Sequence, residues 1–348
     1  MSIEPCAMPL ALSVLDLSPV TTATPPSQAL RNSIDLAAHV DKLGYTRYWL
    51  AEHHNLASVA ASSPAIMIGQ VAAATRRMRI GSGGVMLPNH APLTVAENFR
   101  TLEALFPGRI DLGIGRAPGT DQLTAAALRR RMDKPEDDDF IERLHELIAF
   151  GTDAFPETHP FRRVAAMPTD VVLPPVWILG SSSYGAHLAA AMGLGYSFAH
   201  HFASFPAAEA MRIYRDSFRP SAWMDRPYAI LGVSVVVAET DEAAEYLAAT
   251  VDLAWLRIMR GERAPLASPE AALAIPYTEA DRAQMRRTRD RHAVGSPGTV
   301  RARLEELAHA CQADELIITT TIFDHEARKR SYALLAEAFG LDQAGAAG

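Results

Sequence analysis

Residues 79–121 read RIGSGGVMLPNHAPLTVAENFRTLEALFPGRIDLGIGRAPGTD, and this stretch decides the fold. Arg79–Met86 is apolar and Gly-rich and stops before Pro88, as a buried strand would. Asn89 and His90 fill a polar loop. Pro92 suits a first helical position, where a missing N–H costs nothing. Val95, Phe99, Leu102 and Phe106 then recur at helical spacing until Pro107-Gly108 ends the helix. Arg109–Gly115 is a second short apolar strand. A β-α-β unit with polar groups after both strands is the layout of an α/β enzyme.

The same alternation extends along the chain. Eight strand-like runs are Pro9–Leu15, Arg47–Ala51, Arg79–Met86, Arg109–Gly115, Pro175–Gly180, Gly195–His200, Tyr228–Ala238 and Glu315–Thr320. Most are continuously apolar, as strands buried on both faces are. Helical patterns separate nearly all of them: Gln28–Leu43, Ala65–Thr75, Ser183–Met192, Pro206–Phe218, a helix capped by Thr240, one opened by Ser296-Pro297, and His325–Phe339. A (β/α)8 TIM barrel is the expected fold, with a doubly wound open sheet as the alternative. Ala117–Val172, with a helix over Glu136–Phe150, and Thr240–Gly295 exceed a minimal βα unit. They are read as insertions after strands 4 and 7, within a single domain spanning residues 1–348.

Composition narrows the function. The 348 residues are 49% hydrophobic with a net charge of −7, and Arg is dispersed apart from Arg129–Arg131. A nucleic-acid or anionic-membrane partner is not expected. Cys6 and Cys311 are distant and in no metal-like spacing, and the apolar start Met8–Leu17 is interrupted by Ser13 and Asp16. A reducing, cytoplasmic location is therefore expected, with neither signal peptide nor membrane span. The Ala344–Gly348 tail is expected to fray.

In a barrel the chemistry lies where strands end. His53 and His54 follow strand 2 and offer a general base near neutral pH, or a rim held by loop hydrogen bonds. His90, His200 and His201 also fall at strand ends, but no His pair separated by one residue occurs, and no metal is expected. Gly113-Ile114-Gly115-Arg116 opens like a dinucleotide fingerprint, yet Pro118 stands where the third glycine belongs. Arg116 and the segment Gly180-Ser181-Ser182-Ser183-Tyr184-Gly185, which opens a helix, suit a phosphate. Gly83-Gly84 inside a strand suggests either a bulge or close approach of a planar cofactor.

Taken in order, RYWLAEHHN, GSGGVMLPNHAP, GRIDLGIGRAPGTD, VWILGSSSYGAHLAA, FAHHF and AVGSPGTV resemble the luciferase-like flavin-dependent monooxygenases, in particular their single-chain-type subgroup, over roughly Leu10 to Phe339. The resemblance implies a (β/α)8 barrel that binds reduced FMN at the strand C-termini, receives it from a separate NAD(P)H-dependent flavin reductase, and uses O2 to oxygenate a small substrate such as an aldehyde or other apolar carbonyl compound. A deazaflavin in place of FMN, with hydride transfer instead of oxygenation, is the alternative, and a non-catalytic flavin-binding protein a third. By position, His53 matches the histidine implicated as general base or peroxyflavin stabiliser, with His54 beside it. Gly83-Gly84 matches the strand site that often carries a non-prolyl cis peptide against the flavin ring. Arg116, Gly180, Ser181, Ser182, Ser183 and Gly185 match the phosphate-holding segments, and His200 and His201 the substrate side. Gly185 offers only a backbone N–H, so the serines carry more of the phosphate binding. The mobile loop of luciferase itself is not evident. A homodimer is also implied, with the helices over Ala65–Thr75 and Val95–Phe106 expected at its interface. In the first of these, Ala65, Gly69, Ala72 and Ala73 allow close helix contact.

Overall fold

Strands that are apolar on both faces must be covered on both, and here helices outside and packed side chains inside do so. A computed structural model describes residues 10–129 and 139–341. Pro9, Cys6, Arg130, Arg131, the expected helix start at Glu136 and the Ala344–Gly348 tail lie outside the described residues. The strands are β1 (Ala11–Asp16), β2 (Arg47–Leu50), β3 (Arg79–Ser82), β4 (Val85–Met86), β5 (Ile110–Gly115), β6 (Val176–Gly180), β7 (Gly195–Phe198), β8 (Ala229–Val237), β9 (His292–Gly295) and β10 (Glu315–Thr319). Parallel pairing runs β10-β1-β2-β3-β5-β6-β7-β8, and β10 also pairs β8, which closes an eight-stranded barrel. The closed ring excludes the open-sheet alternative.

Two features depart from the eight-run reading. Arg79–Met86 is divided, because the chain turns through a cis Gly83-Gly84 peptide between β3 and β4. A side chain on Gly84 would clash with backbone, and one on Gly83 would displace the tip of Leu15. A Cβ on Gly83 would lie 2.6 Å from Leu15 Cδ1, and one on Gly84 2.8 Å from the Gly113 carbonyl oxygen. Where the ladder parts, the Ser82 hydroxyl donates to the Gly113 carbonyl at 2.8 Å and accepts from the Gly113 N–H at 2.9 Å. Second, β9 was hidden beside the charged run Asp281–Arg291 and is only four residues long. It pairs with the outer half of β8, from Ser234 to Val237, whereas β10 pairs with the inner half.

The helices match their patterns within about two residues at most ends: Pro26–Lys42, Pro64–Ala74, Pro92–Leu105, Ser183–Met192, Ala207–Ser217, Pro297–Cys311 and His325–Phe339. Thr240 caps its helix, accepting from the Ala243 N–H at 3.2 Å. Ser63, Ser182 and Ser296 occupy cap positions without a side-chain bond to a backbone N–H of the helix. Between β5 and β6 lie helices Gln122–Arg129 and Phe140–Thr152. Between β8 and β9 lie Asp241–Met259, Pro269–Leu273 and Glu279–Arg289. The small-residue face of Pro64–Ala74 is partly used within the chain. Ala72 is buried, and Gly69 faces Leu102, whose Cδ2 lies 3.5 Å from where a Cβ would stand. Ile66 and Leu105 are the exposed apolar side chains on these two helices, at 69% and 66%.

The barrel floor is ionic. Arg47 donates through Nη1 to Asp111 at 2.7 Å and through Nε to Glu315 at 3.0 Å. Arg79 Nη2 reaches Asp111 at 2.7 Å, and Trp49 Nε1 donates to the same carboxylate at 3.1 Å. Above this floor, Leu15, Trp49, Ala51, Trp177, Ile230 and Ile317 pack as an inner apolar layer. That layer is the base of the functional cavity.

Candidate active site

Side chains alternate along a strand, so every second residue of β2 and its extension faces inward. Trp49, Ala51 and His53 line a cavity of about 250 Å³ at the strand C-termini. Beyond β7, Ser197, Ala199 and His201 do the same. The intervening His54 and His200 fall on the other parity and do not line it. This separates the two histidine pairs that the sequence left joined.

His53 Nδ1 lies 3.2 Å from the Gly119 carbonyl oxygen. A carbonyl only accepts, so Nδ1 carries the proton and the neutral ring keeps its lone pair on Nε2. His201 Nδ1 donates likewise to the Gly232 carbonyl at 3.2 Å. Burial lowers the pKa of His53, offset only in part by the Gly119 carbonyl and Glu52. Burial takes His201 down to about 4 despite its bond to Gly232. The site therefore holds two neutral imidazoles at pH 7, each with an unprotonated Nε2.

His54 instead donates from Nε2 to Glu52 at 2.9 Å, and His90 does so at 2.8 Å. Glu52 is fully buried and also accepts from the Met86 N–H at 2.9 Å. Burial alone would raise its pKa, but the bonds from His90, His54 and Met86 hold it below the usual glutamate value. Glu52 thus ties the histidine-bearing end of β2 to the segment that follows Gly83-Gly84. This gives His90 a place as a partner of Glu52. It also moves His54 from the cavity to the supporting structure.

The expected cofactor segment is largely gathered. Gly83, Arg116, Gly180, Ser181, Ser182 and Gly185 line the cavity. Gly84 and Ser183 do not: Gly84 packs on the backbone of Gly113, and Ser183 starts the helix behind the wall. The Arg116 guanidinium sits 4.1 Å from the centre of the Tyr184 ring. The Tyr184 hydroxyl is buried without a hydrogen-bond partner. Met86 and Phe202 line the wall as ordinary apolar residues do and carry no signal in the sequence, and Tyr184 is legible only as part of the segment 180–185. A second chamber of about 480 Å³ adjoins the first, sharing Leu17, His53, His201 and Phe202. Its outer wall comes from Asp241–Met259 and the chain that follows.

Behind the shared wall, His292 is buried with neither ring nitrogen bonded, its ring 6.2 Å from that of Trp255. Burial and neighbouring His201 push its pKa down to about 3. Both groups are depressed below the unfolded value near 6.5, so the unfolded chain binds their protons first as pH falls. Their stability contribution is complete above pH 6.5 and declines toward pH 4, where His201 alone accounts for about 3 kcal/mol. Urea denaturation at stepped pH is expected to show this decline. In His292→Phe its slope should be smaller by about one proton, and an unchanged slope would contradict the burial of a neutral His292.

The model of the luciferase-like monooxygenase family matches residues 10–314. A luciferase-like monooxygenase of Escherichia coli (strain K12) is 40% identical over 325 residues, 93% of this chain and 96% of that protein. The N-acetyl-S-alkylcysteine monooxygenase of Bacillus subtilis (strain 168) is 32% identical over 331 residues, 94% and 98% of the two chains. Among solved structures, apo-MsnO8 superposes with a TM-score of 0.87 at 40% identity, covering 95% of this chain and 99% of its own. The chain belongs to the luciferase-like monooxygenase family, whose enzymes are flavin-dependent. No helix among the described residues is long and apolar enough to cross a membrane.

Proposed function

We propose that this chain is the oxygenating component of a two-component monooxygenase. It takes reduced FMN from a separate NAD(P)H-dependent reductase and uses O2 to oxygenate a small organic molecule. The observation that carries this reading is the joining of two half-sites in one cavity: bare backbone at Gly83 on one wall, and Arg116, Ser181 and Ser182 on another.

The residues present fit FMN. A ring system can lie against the Gly83 backbone, which lines the cavity, and the inner layer around Trp49 and Ala51 is apolar. Arg116, the two serine hydroxyls and the N–H groups at the start of helix Ser183–Met192 form a donor set suited to a phosphate. The unpartnered Tyr184 hydroxyl adds a donor on the same wall. Reduced FMN, when bound, supplies two electrons to O2, with one oxygen atom passing to the substrate and the other to water.

The protein's own part is to position, shield and manage protons. The apolar inner layer excludes water from the reacting centre. His53, its Nδ1–H fixed on Gly119, presents Nε2 to both chambers and takes a proton at that atom. His201 presents a second acceptor from the facing strand. Glu52 keeps His53 and Gly83 in register by holding Met86 while remaining ionised. An Arg116→Ala variant should weaken reduced-FMN binding about 10- to 100-fold, the loss of one charge-assisted phosphate contact. Anaerobic fluorescence titration measures this, and unchanged affinity would remove Arg116 from the phosphate site.

We also propose a homodimer built on helices Pro64–Ala74 and Pro92–Leu105, where Ile66 and Leu105 stand exposed. Light scattering should give twice the chain mass at micromolar concentration, and Ile66→Glu with Leu105→Glu should give one chain mass. A monomeric wild-type protein would contradict this.

A further inference from the structure

The outer chamber is not uniformly apolar. Val251, Ala254, Trp255 and Ile258 form one face of helix Asp241–Met259 and, with Leu266, supply an apolar wall. Three charged side chains line the same chamber: Arg257, Glu262 and Arg263. Their surroundings differ. Arg263 is already paired with Asp121 at 2.7 Å. Glu262 is half exposed, 3.9 Å from Arg257 Nε and 3.7 Å from Arg260 Nη1. Arg257 is the most covered of the three, its side chain 25% exposed. Besides that long approach to Glu262, it makes one bond of 3.3 Å, from Nη1 to the Pro265 carbonyl. A guanidinium has five N–H donors, so most of those on Arg257 are left without a hydrogen bond at a side chain that lines the chamber. A largely covered guanidinium beside an apolar wall suits a planar or tetrahedral oxyanion far better than an amine or a neutral head.

Deepening the oxygenase reading and resting on it for the fate of the bound molecule, we propose that the outer chamber binds small amphipathic acids. A carboxylate or sulfonate pairs with Arg257, and an alkyl body lies on Trp255 and its neighbours. Arg257 lines only the outer chamber, whereas His53 and His201 line both. The acid is therefore held by its head away from the junction, and its far end is directed to the side where oxygen transfer takes place. Ser234 and Thr319, register neighbours on β8 and β10, offer hydroxyls to a polar group at that far end. Arg257 acts here as a specificity-determining residue.

Calorimetric titration of the flavin-free protein with octanoate, octanesulfonate and octan-1-ol tests the assignment without needing the cofactor. At least one acid should bind ten or more times tighter than the alcohol, and the tighter of the two identifies the head group. Arg257→Met keeps the alkyl stem and should remove that preference while leaving octanol affinity in place, which also shows that the variant is folded. Trp255→Ala should weaken all three ligands about tenfold. Octanol binding as tightly as both acids, an anion preference that survives in Arg257→Met, or acid binding indifferent to Trp255→Ala would each overturn the proposal. Acid binding without any FMN binding would leave the chamber assignment standing and defeat the flavin reading. FMN binding without acid binding would do the reverse.

Discussion

His53→Ala is expected to lower turnover about 10²- to 10⁴-fold while reduced-FMN affinity changes less than about threefold. The size follows from removing the group that handles a proton at the junction of the two chambers. The selectivity follows from position: Arg116, Ser181 and Ser182, the donors proposed for the phosphate, line another part of the cavity, and Gly119 is held by the His54 backbone N–H as well as by His53. Burial lowers the His53 pKa, so Nε2 stays unprotonated through the range where an exposed histidine titrates. The acid limb of kcat/KM should accordingly fall below pH 6.5, and His53→Gln should abolish that limb together with turnover. His54→Ala is the control. It faces Glu52 rather than the cavity, and its loss should stay within about tenfold. Single-turnover assays of the variants with added reduced FMN make the comparison. Equal losses for His53 and His54 would contradict the geometry.

Asp111→Ala is expected to destabilise the protein by about 3–5 kcal/mol. Asp111 is fully buried and accepts from Arg47, Arg79 and Trp49 at once. Removing it leaves the buried Arg47 guanidinium with Glu315 alone and strips the Trp49 indole N–H of its partner. That loss is a large share of the 5–15 kcal/mol that typically holds a domain folded. Trp49 also forms the base of the cavity, so flavin affinity should fall in the same variant even where it remains folded. Urea denaturation followed by fluorescence gives the stability. A loss below 1 kcal/mol would show that the floor is not held by this carboxylate.

Much of this architecture is legible in the chain because a barrel strand is buried on both sides. Runs such as Ile110–Gly115 and Ala229–Val237 are buried at every position and stand out as short segments interrupted by a single polar residue, Asp111 and Ser234 respectively. The ends of those runs place Arg116, Ser181 and Ser182 at the cavity rim, since a strand end is fixed by the strand. What adjacency hides is facing. His53 and His54 look alike until parity is counted back through Ala51 to Trp49, and His201 separates from His200 through Ala199 and Ser197. Counting parity would have found this signal in the sequence. Other features had none. Glu52 pairs with His90, thirty-eight residues away, through tertiary folding alone. Ser183 does not line the cavity, being the first residue of the helix rather than part of the strand end. The outer chamber is built by the long segment after β8, where helix and loop lengths follow from packing rather than periodicity.

An oxygenating component of the proposed kind binds reduced FMN and passes oxygen from O2 to a substrate. Anaerobic titration with reduced FMN and, in parallel, reduced deazaflavin, followed by admission of ¹⁸O₂ with an octanoate- or octanesulfonate-type acid, tests it most directly. Micromolar or tighter binding of reduced FMN, weaker binding of the deazaflavin, and one ¹⁸O atom in the product are expected. Preferential binding of the deazaflavin, or product free of ¹⁸O while reduced FMN is consumed, would contradict it.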